Sequence, residues 1–299
     1  MALTLRTTKG FALTYAELDA NFTELNTGIN QGIACGRLSN KGGSDPFSEC
    51  HFVPFNGNKI LINGTHETIP DGTLASSGGV IGVYNNASIN KVTGQTLAVS
   101  TLYYVYVYML AGVMTMDFST TVQALDSTYG VWVKTGDATC SLVGQLRTNA
   151  ASQTLGNSQA QTITSFFNRV RLPIFANLGA ATTASNTAVE LDSTKRLEWV
   201  QWSDDAPRIF AHANLQNSVS GNRVTIGIGL NSATVINGIP GATQVPSALA
   251  RSVSTTAHAL NPGGDGYFFA TLLGYETEDS GAGLLTVNDC FLIADPIPS

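Results

Sequence analysis

Near the start of the chain, apolar residues recur at helical spacing. Tyr15, Leu18, Phe22, Leu25 and Ile29 are separated by 3, 4, 3 and 4 residues, which is the a/d seam of two heptads. Thr14-Tyr15-Ala16-Glu17 has the form of a capping box, and Leu13 and Leu18 stand at the spacing of a hydrophobic staple. Gly28 and Gly32 mark the exit. A helix of about four turns is marginal alone, so its seam must be covered. It either docks on its own β-domain or meets copies of itself, or a larger assembly, through a short coiled coil.

From Cys35 onward the pattern changes to period two. His51–Phe55 and Lys59–Ile62 flank Asn56-Gly57-Asn58 and predict a hairpin. Leu102–Leu110 is the clearest strand, with Tyr104, Tyr106 and Tyr108 on one face and Tyr103, Val105, Val107 and Met109 on the other. Two apolar faces predict a central strand or one covered by a neighbouring chain. Ala111-Gly112 predicts a turn into Val113–Phe118, followed by strands at Tyr129–Lys134 and Cys140–Leu146. Residues 148–161 read as a polar surface loop, and Ala180–Thr187 as low-complexity sequence near a domain boundary. Further strands are predicted at Leu197–Trp202, Arg208–Leu215, Val224–Leu230, Tyr267–Tyr275 and Leu284–Ile293, with Gly227 and Gly229 admitting a closely approaching layer. The expected fold is mainly β: a short N-terminal helix (residues 1–33) followed by two antiparallel sandwich- or barrel-like domains, 34–170 and 171–299. No repeat of 20 to 50 residues supports a solenoid or propeller.

Composition narrows the function classes. Only 12% of the 299 residues are charged, against roughly 25% in an average soluble chain. The net charge is −6 and no Lys/Arg cluster is present, so nucleic-acid binding is not expected. The longest apolar stretch, Leu102–Met116, falls short of the roughly 20 residues of a membrane helix, and the first residues lack a secretory pattern. The expectation is folding in a cytoplasm without membrane insertion. Cys35, Cys50, Cys140 and Cys290 are scattered without zinc-ligand spacing, so no metal or other cofactor is expected; a Cys35–Cys50 bridge stays open.

Motifs for phosphate binding, hydrolytic nucleophiles and zinc hydrolysis are absent, and the chain is expected not to be an enzyme. The rival reading, a polysaccharide depolymerase, would draw on the carboxylates Glu190, Asp192, Glu198, Asp204 and Asp205. Trp199 and Trp202 are the candidate glycan contacts, because sugar C–H faces pack on indoles; three apart in a strand, they lie on opposite faces, and burial of both is the competing expectation.

The stretch from Lys9 to Leu25 fits K-G-x-x-L-T-x-A-E-x-D-x-N-F-x-x-L at every defined position, and so resembles a segment near the N-termini of tailed-bacteriophage fibre and appendage proteins. Gly36-Arg37-Leu38, the Phe52–Ile60 region, Tyr103–Tyr108, Tyr129–Arg147 and Phe167-Asn168-Arg169-Val170 resemble, in order, a β-rich module of such fibres. The resemblance implies a virion structural protein assembled in the host cytoplasm, a tail fibre or spike subunit and homotrimer. It would be anchored by its N-terminus to tail, collar, portal or capsid proteins and would present β-domains to host-surface glycan. The alternative within that class is a head fibre, decoration or collar component. Tyr15, Leu18, Phe22, Leu25 and Ile29 would serve anchoring or oligomerisation.

Overall fold

The computed structural model describes residues 10, 12–30, 35–40, 45–70, 79–84, 96–170, 173–205, 207–244, 251–255, 264–277 and 283–296. Helix α1 spans Tyr15–Asn30. Its start is the capping box that the sequence predicts. The Glu17 amide donates to Thr14 Oγ1 at 3.3 Å, and the Glu17 carboxylate accepts from the Thr14 amide at 2.7 Å.

The strands of the first unit are β1 (Arg37–Asn40), β2 (Glu49–Val53), β3 (Lys59–Ile62), β4 (Thr65–Thr68), β5 (Val80–Val83), β6 (Leu102–Leu110), β7 (Val113–Ser119), β8 (Gln123–Asp126), β9 (Val131–Lys134) and β10 (Asp137–Arg147). The short β11 (Ala160–Gln161) and β12 (Ile163–Ser165) follow. Among the described residues one sheet runs β7-β6-β10-β9-β8, with β12 on β10; a second runs β1-β2-β5, and β3-β4 is a separate hairpin. β6 is therefore central. Its Tyr103, Val105 and Val107 enter a core with Phe52, Tyr84, Met116, Phe118 and Leu146.

The hairpin predicted across Asn56-Gly57 does not form. β2 pairs with β1 and β5, while β3 turns back onto β4 at Asn63-Gly64. Pro54 offers no amide to continue β2, and the carbonyls of Phe55 and Lys59 are taken by the amides of Gly36 and Cys35. Asn63 (φ 47°) and Gly64 (φ 76°) supply the two left-handed residues that a tight hairpin needs. A Cβ at Gly64 would also lie 2.5 Å from the Tyr129 ring.

Residues 148–161 are not a surface loop. Thr148 and Thr154 are buried, Phe47 and Thr154 form a bridge, and the Gly156 amide donates to Asp45 at 2.8 Å. Hydroxyls in a polar stretch satisfy buried backbone groups here, which composition alone conceals.

The second unit contains β13 (Ile174–Thr183), β14 (Val189–Glu190), β15 (Leu197–Gln201), β16 (Pro207–Asn217), β17 (Arg223–Leu230), β18 (Asn237–Gln244), β19 (Arg251–Thr255), β20 (Gly266–Thr277) and β21 (Leu285–Pro296). One sheet runs β11-β15-β20-β17-β18 with β14 on β20, and the other runs β13-β21-β16-β19. They enclose a core that includes Ile174, Leu197, Trp199, Ile209, Leu215, Ile226, Leu272 and Leu292. The chain is thus mainly β, with antiparallel sheets stacked in sandwich fashion behind one short helix. Ala180–Thr183, read as low-complexity sequence, continues β13 against β21. The close approach predicted at Gly227 is made by Ile236 of the following loop, 2.6 Å from where a Cβ would stand, rather than by another layer.

Strand pairing and side-chain packing both join the units. β11, from the polar stretch of the first, adds in parallel to β15 of the second. Between them lies a third cluster, in which Tyr104, Tyr106, Tyr108 and Leu142 meet Trp202, with Phe166 packed alongside. The tyrosine face of β6 is therefore covered by the same chain.

Candidate functional site

The sequence-predicted anchoring residues stand on α1. Tyr15 is 88% exposed and Phe22 67%, and Leu18 is also exposed. The side chains of Leu25 and Ile29 lie outside the described residues, as do Lys9 and Phe11 of the N-terminal motif. Of the two readings of the seam, docking on the chain's own sheets leaves no trace at Tyr15 and Phe22. A capped amphipathic helix with uncovered aromatics has the chemistry of an assembly surface.

The indoles singled out for glycan contact are inside, and that assignment is corrected. Trp199 is 7% exposed and lies in the core of the second unit, stacked with Phe268 at 6.2 Å. Trp202 is 2% exposed. Its ring meets Phe166 edge-on at 5.0 Å, and its Nε1 donates to the Ser165 carbonyl at 3.0 Å. Period two does place the pair on opposite faces; both faces are covered, one by the sandwich partner and one by the first unit.

The carboxylates are occupied with holding the fold. Glu190 accepts Arg196 Nε and Nη2 at 2.7 and 2.6 Å, and this pairing draws its pKa below the ordinary value. Asp192 caps the short 3-10 turn Ser193–Lys195 through Thr194, whose hydrogen bond likewise lowers its pKa. Asp204 and Asp205 pair with Arg169 across the seam, and Asp205 also accepts the Trp202 amide. A glycosidase acid needs the opposite, a carboxyl kept protonated. Because the Glu190 pKa is lower folded than unfolded, its contribution to stability is full above the unfolded carboxylate range and disappears as pH falls through the folded value. Glu190→Gln is therefore expected to reduce the drop in melting temperature between about pH 5 and about pH 3, read by thermal denaturation across that range.

Sequence reasoning missed two surface features. Residues of both units line a cleft of about 250 Å³, among them Asn157, Ser158, Gln159, Thr194, Arg196 and Glu198. Beside it, the outer face of β13-β21-β16 carries Phe175, opposite Ile293 and then Phe210, and one row on Asn177, Phe291 and His212. Phe175 is 54% exposed, and Phe291 is exposed with its ring 5.2 Å from that of His212. The signal was present: Ile174, Ala176 and Leu178 alternate inward, which turns Phe175 outward.

Among the described residues no group of three or more His, Cys, Asp or Glu is placed to hold a metal ion, and no helix is long and apolar enough to cross a membrane. Cys35, Cys50, Cys140 and Cys290 are buried, and none is in a disulfide.

No family model and no curated protein matches the chain. Among solved structures, the insecticidal delta-endotoxin Cry8Ea1 of Bacillus thuringiensis is 8% identical, with a TM-score of 0.27 over 89% of this chain and 52% of that one. The structure of infectious bursal disease virus Gx strain is 10% identical, with a TM-score of 0.24 over 89% and 76%. The mosquito-larvicidal Cry4Aa toxin of Bacillus thuringiensis is 7% identical, with a TM-score of 0.21 over 89% and 52%. The chain spans about half the length of these two toxins. At such scores the likenesses carry no functional information.

Proposed function

We propose that this protein is a structural subunit of a tailed-phage virion, a fibre or spike protomer that self-associates, as a homotrimer, and attaches to the particle through α1. The β-units project outward to meet the host surface, and the protein performs no catalysis. The observation that carries this reading is the pair of exposed aromatics, Tyr15 and Phe22, on a helix whose start is fixed by its own capping box. The N-terminal stretch that contains them resembles the corresponding segment of phage appendage proteins. The sparse charge also suits subunit faces that must be buried without stranding ions.

Two measurements test it. The native mass in solution is expected to be a multiple of 31.4 kDa, with three copies the expected number. The protein is also expected in purified particles, where labelling locates it at the tail, or at head or collar if its role is decoration. A monomer missing from particles would overturn the reading.

A further inference from the structure

We propose that the cleft between the units and the aromatic row beside it bind a neutral, extended oligosaccharide, one sugar seated in the cleft and its neighbours lying across Phe175. Only the source of that glycan, a host surface, rests on the virion reading; the site itself rests on its geometry.

The cleft is small enough to hold a single sugar ring and is walled by hydroxyls and amides from Asn157, Ser158, Gln159 and Thr194. Sugars present vicinal hydroxyls, which bind best where a donor and an acceptor stand side by side. Arg196 and Glu198 meet that need. Both line the cleft, Arg196 immediately before β15 and Glu198 on it, while Leu197 and Trp199 enter the core. Arg196 is held by Glu190 through Nε and Nη2 and by the Phe269 ring 4.5 Å from its guanidinium carbon, which leaves Nη1 without a hydrogen-bond partner among the described residues. The Arg196 guanidinium is therefore preorganised.

Charge decides which glycan. Arg196 and Glu198 are the charged residues of the lining and cancel, so the cleft offers an acidic sugar no net attraction and suits a neutral one.

The aromatic row supplies the extended part. The Phe175 amide donates to the Ser158 carbonyl at 2.6 Å, so the exposed Phe175 adjoins the cleft wall directly. From there Ile293 and Phe210 continue across two strands, roughly 10 Å, with the Phe291–His212 pair in the next row. Phe175 and Phe291, the exposed rings of this face, offer C–H/π stacking to successive sugars. A second copy of this chain fits worse, because its apolar face would strand the amides and hydroxyls of the cleft away from water.

The full chain is applied to an array of neutral and acidic bacterial glycans that also carries maltohexaose, cellohexaose and chitohexaose, and each bound glycan is then titrated. Binding to neutral glycans and not to acidic ones is expected. Phe175→Ala and Gln159→Ala should each weaken it by about three- to tenfold. Ser193→Trp, at an exposed position lining the cleft, should abolish it with the melting temperature unchanged. Absence of neutral-glycan binding, or binding that survives both Ser193→Trp and Phe175→Ala, overturns the site. So does a fall in native mass on Phe175→Ala, which would show the face to be a subunit contact. Particles that carry the protein but show no glycan binding refute the site alone. Glycan binding by a protein missing from particles refutes the virion reading alone.

Discussion

Replacing Trp202 with alanine is expected to lower the unfolding free energy by about 3–5 kcal/mol and to split one thermal transition into two. The indole is the largest fully buried side chain at the seam, ringed by Tyr104 and Phe166. Its removal leaves a cavity between the units and takes the indole donor from the Ser165 carbonyl. The polar contacts that remain there are Arg169 on Asp204 and Asp205, Gln145 on the Gln201 carbonyl, and Gln123 on Asp265. Pairs of this kind contribute modestly once the apolar centre is lost. Trp202→Phe keeps most of the packing and should cost much less. Calorimetry checks both, and a single undisplaced transition in Trp202→Ala would show that the seam does not couple the units.

Phe22→Asp combined with Leu25→Asp is expected to reduce the native mass to that of one chain and to keep the protein out of particles. Burying an aromatic or leucine side chain contributes roughly 1.5–3 kcal/mol. Two substitutions per helix, repeated in every copy, therefore remove more than a typical assembly of short helices can spare. The β-units should melt as before, because Phe22 is exposed rather than packed on them. Sedimentation and particle mass spectrometry read the two effects. Normal assembly of the double variant would refute anchoring through α1.

What the sequence disclosed depended on the range over which each feature is determined. The capping box was legible because Thr14 and Glu17 are three residues apart and satisfy each other locally. β6 was legible because its two alternating faces carry different residues. The stretch between β2 and β4 holds two Asn-Gly dipeptides, at 56–57 and 63–64, and local chemistry favours both as hairpins. The choice between them was made by Cys35 and Gly36 claiming the intervening carbonyls, a pairing that no short window reveals. The burial of Trp202 was hidden in the same way, since its cover comes from Tyr104, almost a hundred positions earlier. The cleft between the units was the least visible, because its walls are contributed by 155–160 and 193–198 and neither segment carries a motif.

The parallel seat of β11 beside β15 governs how this protein can be dissected or recombined. A graft that swaps the C-terminal head at 170 would carry off a sheet whose Glu198 amide has lost the Gln159 carbonyl, and would strand Ala160–Gln161 on the stump. A cut ahead of Leu155 fares no better, because it takes β12 off β10 and the Gly156 amide off Asp45. The two modules are spliced through this stretch, so chimaeras joined at either place should aggregate.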